Sequence, residues 1–125
     1  MTTPIVGTGM VTVLIVDDEA GLRTVCARCL RLAEMEAFTA EDGASALLLV
    51  GAIHPLVVVV DLHMPGLDGG YVCRHLATRT GPRPAIVVTS GGEIDDLELD
   101  FDVFLPKPFR CGDLIAAVHR ALGMR

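Results

Sequence analysis

Residues 56–60 read Leu-Val-Val-Val-Val and stop on Asp61. A strand with one wet face alternates apolar and polar side chains, so an unbroken β-branched run buries both faces, as in the middle of a parallel sheet. Parallel neighbours cannot be joined by a tight turn, and each pair needs a crossover, usually a helix. The rest of the chain supplies the parts. Residues 10–16 form a second β-branched run, closed by Asp17-Asp18-Glu19. Leu22, Val25, Cys26, Cys29, Leu30 and Ala33 follow at helical spacing, with Arg23, Arg28 and Arg31 off the stripe. Residues 37–40 read as a short strand, Asp42-Gly43 breaks it, and 44–50 read as a helix. Pro65-Gly66 turns the chain after Asp61, and 67–78 read as the next helix. Residues 85–88 and 101–105 are the last two strands, and Cys111, Leu114, Ile115, Val118 and Leu122 make the final helical stripe.

This alternation predicts an α/β fold. Five parallel strands take the flavodoxin-like order 2-1-3-4-5, a (βα)5 unit with helices on both faces. With 125 residues there is one domain. Residues 1–10 are expected as a flexible leader and 11–123 as the folded unit. Sixteen acidic against ten basic residues, a formal charge of −6, argue against direct contact with nucleic acid. No apolar run approaches the 18 or so residues of a membrane span, and no basic residue precedes the first apolar stretch as in a secretory signal. A cytoplasmic protein is expected. Cys26 and Cys29 have Cys-x-x-Cys spacing, but both fall on an apolar helix face and no second pair completes a zinc site. They, Cys73 and Cys111 are read as small buried hydrophobes. Four apolar residues in a row at 47–50 cannot all face one core, which leaves Leu48 or Leu49 for the surface.

Four strands end on groups with chemistry: Asp17 and Asp18, Asp61, Thr89 and Lys107. The carboxyl ends of parallel strands share one edge, and a crevice opens there between the first and third strands. Three carboxylates in one crevice raise each other's pKa unless a cation intervenes. Lys107 offsets one charge, and the remainder calls for a hard, oxygen-loving ion such as Mg²⁺. A metal, an ammonium, a hydroxyl and an uncommitted Asp suit phosphoryl transfer to a carboxylate. Singly, each residue has a plainer reading. An Asp pair after a strand caps a helix, and a lone Lys is solvated surface. Their joint occurrence at one edge favours a site.

The runs Val16-Asp17-Asp18-Glu19, Val60-Asp61-Leu62-His63-Met64-Pro65-Gly66-Leu67-Asp68-Gly69, Val88-Thr89-Ser90 and Leu105-Pro106-Lys107-Pro108-Phe109 resemble the signature of the response-regulator receiver domain. The resemblance spans residues 11 to 123 and implies specific roles. Asp61 is the phosphoacceptor, taking its phosphoryl group from a histidine of a sensor kinase or phosphotransfer protein. Asp18 and Asp61 ligate Mg²⁺ directly, Asp17 does so through water, and the backbone carbonyl of His63 adds a ligand. Lys107 pairs with the phosphoryl group, Thr89 hydrogen-bonds it, and Phe104 swings inward in response. The Lys107–Pro108 bond is often cis in the family. The output is a changed surface offered to a target protein or to a C-terminal output domain, with no enzymatic activity beyond accepting and losing the phosphoryl group.

Three readings compete: a phosphorylation-independent interaction module of the same fold, an Asp-nucleophile phosphatase, and a flavodoxin. The phosphatase wants an acid where His63 stands, and the flavodoxin a Ser/Thr-rich loop where Asp17-Asp18-Glu19 stand. One region departs from the family pattern. Thr89 and Lys107 are 18 positions apart, short by about one helical turn of roughly 3.6 residues. The segment 91–100 holds two Gly and five acids. A short, distorted or absent fourth helix is expected there, with the first helix gaining weight as a partner surface.

Overall fold

In the computed structural model, Val57, Val58, Val59 and Val60 are all buried and divide between two cores. Val57 and Val59 pack with Val13, Ile15, Val87, Leu30, Leu114 and Val118 on one face of the sheet. Val58 and Val60 pack with Leu14, Val16, Ile86, Val50, Val72 and Leu76 on the other. Each such side chain contributes on the order of 1.5–3 kcal/mol by burial. The two-sided demand is why the run has no polar alternation.

The structure describes residues 10–66, 68–92 and 99–123. The strands are β1 (Thr12–Val16), β2 (Glu36–Ala40), β3 (Val57–Asp61), β4 (Ala85–Ser90) and β5 (Val103–Pro106), all parallel, in the order β2-β1-β3-β4-β5. The expected topology is therefore observed. Among the described residues the helices are α1 (Ala20–Leu32), α2 (Gly43–Ile53), α3 (Gly69–Thr78) and α4 (Cys111–Gly123). Helices α1 and α4 cover one face, α2 and α3 the other. The expected leader, 1–10, and the expected irregular helix within 91–100 lie outside the described residues except for Met10, Gly91, Gly92, Leu99 and Asp100, none of which is in a helix. No helix among the described residues is long and apolar enough to cross a membrane.

Two expectations need correction. Val25 was placed on the buried stripe of α1 but is 58% exposed. The helix turns its smaller Ala27 to the core instead, which buries that face towards β2 and leaves Val25 outside. Cys29 and Cys111 were read as separate thiols, and Cys111 as buried. They are joined by a disulfide, with Cα atoms 5.6 Å apart, and Cys111 is exposed. The parallel arrangement explains the pairing, because α1 and α4 lie side by side and bring residues 82 positions apart within bridging reach. Cys26 and Cys73 remain buried free thiols. Of residues 47–50, Leu48 is the one left in solvent, at 78% exposure.

Candidate phosphoacceptor site

The carboxyl edge of the sheet brings Asp17, Asp61, Thr89 and Lys107 together, with Asp18 at the rim. Asp17 follows the last residue of β1 and is buried. One oxygen, Oδ1, accepts the Glu19 N–H at 2.9 Å, a local turn that leads into α1. The other, Oδ2, accepts the Lys107 ammonium at 2.8 Å. Asp61 ends β3 and is also buried. Its Oδ1 accepts the His63 N–H at 3.2 Å and its Oδ2 accepts Lys107 Nζ at 3.2 Å. Thr89 lies beside Asp61 in the ladder, on β4, and is 2% exposed. Asp18 is exposed, yet carboxylate oxygens of Asp17, Asp18 and Asp61 all lie within 4.8 Å of one another.

Electrostatics follow from this crowding. Burial pushes the Asp61 carboxyl above its ordinary value of 3.8, with the Asp17 charge adding to the shift. The His63 N–H and the Lys107 charge pull the other way but do not cancel it. Burial alone lowers Lys107; its hydrogen bond to Asp17 and the charge of Asp61 outweigh that and hold the ammonium above its usual range. One cation therefore stands against three carboxylates. An all-oxygen donor set of this kind fits a hard divalent ion.

The last strand aims the lysine. Lys107 N–H donates to the Ser90 carbonyl at 2.8 Å, which carries the chain one residue past β5 along the end of β4. The Lys107–Pro108 peptide is cis. Phe104, on β5, is half-buried beside Val88 in register and packs on the core shared by α2 and α3. The His63 side chain is exposed.

Three neighbours of the site escaped sequence reasoning. Ser90, which follows Thr89 on β4, is buried and its carbonyl seats Lys107. Arg23 was read as a surface residue of α1. It is half-buried, and its Nη1 donates to the Asp17 carbonyl at 2.7 Å. Gly69 opens α3 directly against β3. A Cβ there would overlap the Asp61 carbonyl and come within 2.9 Å of Leu62 Cα. The signal for Gly69 was present in the Gly69-Gly70 pair at a helix start, where Asp68 accepts the Tyr71 N–H at 3.0 Å as the cap.

Comparison with known proteins places this geometry. The response regulator receiver domain profile matches residues 13–119. The transcriptional regulatory protein CutR of Streptomyces coelicolor is 39% identical over 117 residues, which cover 90% of this chain and 54% of CutR. Response regulator MprA of Mycolicibacterium vanbaalenii is 34% identical over 116 residues, covering 90% of this chain and 50% of MprA. The chain thus spans about half the length of these relatives. Among solved structures, a response regulator receiver domain protein from Clostridium thermocellum superposes with a TM-score of 0.83 at 24% identity, covering 92% of this chain and 96% of that one. A family profile that takes in both flanking acids, the strand-end Asp61, Thr89 and Lys107, together with relatives of this similarity, establishes that the chain belongs to the response regulator receiver domain family.

Proposed function

We infer that residues 11–123 receive a phosphoryl group on Asp61 from a phosphohistidine and signal through the resulting change of surface. The observation that carries this reading is the shared ammonium: Lys107 Nζ lies within 3.2 Å of oxygens of both Asp17 and Asp61. Lys107 is thus held where it meets a group attached to Asp61. An Asp61 oxygen forms the new O–P bond as the bond from phosphorus to the donor histidine nitrogen breaks. The His63 N–H and Lys107 favour the carboxylate form that such attack requires. Thr89, beside Asp61 in the ladder, supplies a hydroxyl to the phosphoryl oxygens. Phe104, adjacent in register to Val88, moves inward as Thr89 shifts. Phosphorylation then selects between two arrangements of this edge.

Asp18 and Asp61 would hold Mg²⁺ directly, Asp17 through water, and the His63 carbonyl would add an oxygen. When bound, the ion supplies charge neutralisation for the phosphoryl oxygens. The partners are a histidine kinase or histidine phosphotransfer protein upstream, and downstream a target protein or a C-terminal output domain. The chain acts in the cytoplasm, as a signalling protein whose only turnover is its own phosphorylation and dephosphorylation. Residues 1–10 serve as a leader outside this unit.

The test uses beryllofluoride as a phosphoryl mimic with Mg²⁺, read by amide NMR. Saturable shifts centred on Asp61, Thr89 and Lys107, absent in Asp61→Asn, are expected. Shifts that persist in Asp61→Asn would refute the assignment.

A further inference from the structure

The Cys29–Cys111 bond ties α1 to the first residue of α4, across 82 positions of sequence. Its two sulfurs sit in different surroundings. Cys29 is 8% exposed, whereas Cys111 is open to solvent. An attacking thiolate therefore reaches the bond from the Cys111 side. The other two thiols do not compete. Burial pushes Cys26 up to about 11 and Cys73 up to about 12, and both side chains are shut off from solvent. Cys26 shares Cys-x-x-Cys spacing with Cys29 but stays a buried thiol. Thiol chemistry is confined to one pair.

The same two chain segments are joined a second time, at the site. Lys107 precedes Cys111, the first residue of α4, by four positions, and Asp17 precedes α1, which carries Cys29. The disulfide and the Lys107–Asp17 ion pair thus close one ring. A covalent link across two segments removes conformational freedom that the ion pair would otherwise have to offset. In a thiol-reducing compartment, such as the cytoplasm proposed above, disulfides are mostly transient and regulatory.

We propose that Cys29–Cys111 is a thiol–disulfide switch, opened by a dithiol reductant and closed by a disulfide oxidant, that sets how firmly the Lys107 segment is held over Asp17 and Asp61. Opening starts when a reductant thiolate bonds to Cys111 Sγ. The Cys29–Cys111 bond breaks, and Cys29 leaves as a thiolate and takes a proton. The second thiol of the reductant, as its thiolate, attacks its own sulfur in the mixed disulfide. Cys111 is released as a thiol and the reductant is left as a disulfide. Two electrons and two protons pass to the protein pair. Closure is the reverse, with a disulfide as oxidant. The consequence for phosphorylation rests on the reading of Asp61 given above; the thiol chemistry does not.

The full chain is equilibrated with dithiothreitol or with oxidised glutathione, quenched in acid, unfolded and alkylated. Intact mass is expected to show four reactive thiols after reduction and two after oxidation, reversibly, since the chain has four Cys and one bridge. In the folded, reduced chain Cys111 alkylates first. Amide exchange over 106–112 is expected to be severalfold faster in the reduced form, and Cys111→Ser to match the reduced form under both conditions. Cys29→Ala serves as a second variant should Cys111→Ser fold poorly. Four thiols under oxidant, a thiol change that survives Cys111→Ser, or equal exchange in the two redox forms overturns the proposal. None of these readouts needs Asp61 to be phosphorylated, so failure of that reading is separately visible.

Discussion

The ammonium of Lys107 lies 2.8 Å from the Asp17 carboxylate, although 90 positions of sequence separate them. It touches Asp61 as well, so one cation holds two buried carboxylates at the mouth of the sheet. Replacing Lys107 with Met leaves both without their partner. Urea unfolding is expected to show a loss of roughly 1–3 kcal/mol, the usual cost of orphaning a buried polar group. A Lys107→Met chain as stable as the parent would mean that the pair contributes nothing to folding.

The pH dependence has a definite sign. Asp61 is raised above 3.8 in the folded chain, so the folded state holds this proton more tightly than the unfolded state. Its contribution to stability is fully present below 3.8 and is lost as pH rises through the folded value. Asp61→Asn removes the term. The variant is therefore expected to gain stability relative to the parent as pH increases above 3.8, without added divalent ions. Denaturation midpoints across that range check it; a difference that shrinks with rising pH contradicts it.

On the proposed reading Mg²⁺ acts in the opposite sense, because it would bind the folded cluster of three carboxylates and not the dispersed chain. At a hundred times its dissociation constant a ligand stabilises by about 2.7 kcal/mol. A thermal shift that saturates with Mg²⁺ is expected for the parent, with most of it absent in Asp18→Ala. Asp18 is exposed, so this substitution should leave the fold itself intact.

Two glycines make opposite predictions for one added methyl group. At Gly69 the Cβ meets the backbone of Asp61 and Leu62, which cannot move without shifting Asp61. Gly69→Ala is expected to cost roughly 1–3 kcal/mol, as overpacking does. At Gly51, inside α2, nothing lies within 4 Å. Gly51→Ala is expected to add about 0.5–1 kcal/mol of stability from helix propensity. Chemical denaturation of the pair separates local crowding from a general effect of side-chain size.

Much of this fold is legible in the sequence. The five strands announced themselves because parallel strands buried on two faces cannot hide their composition, and 56–60 is the extreme case. The strand-end positions of Asp17, Asp61, Thr89 and Lys107 followed from topology alone. What failed depended on tertiary neighbours. Periodicity could not distinguish Val25 from Ala27 on α1, since both lie at the margin of the stripe and only the lean towards β2 selects one. The Cys29–Cys111 bond required knowing that α1 and α4 are neighbours and that Cys111 is exposed. Arg23 looks like any surface arginine until the Asp17 carbonyl is placed 2.7 Å from it.

The most direct test of the central claim is intact-protein mass spectrometry after incubation with acetyl phosphate, with and without Mg²⁺. The expected result is a gain of one phosphoryl group that requires Mg²⁺, maps to Asp61 and is absent in Asp61→Asn. A phosphoryl group that maps elsewhere, or one that forms equally well in Asp61→Asn, would contradict it.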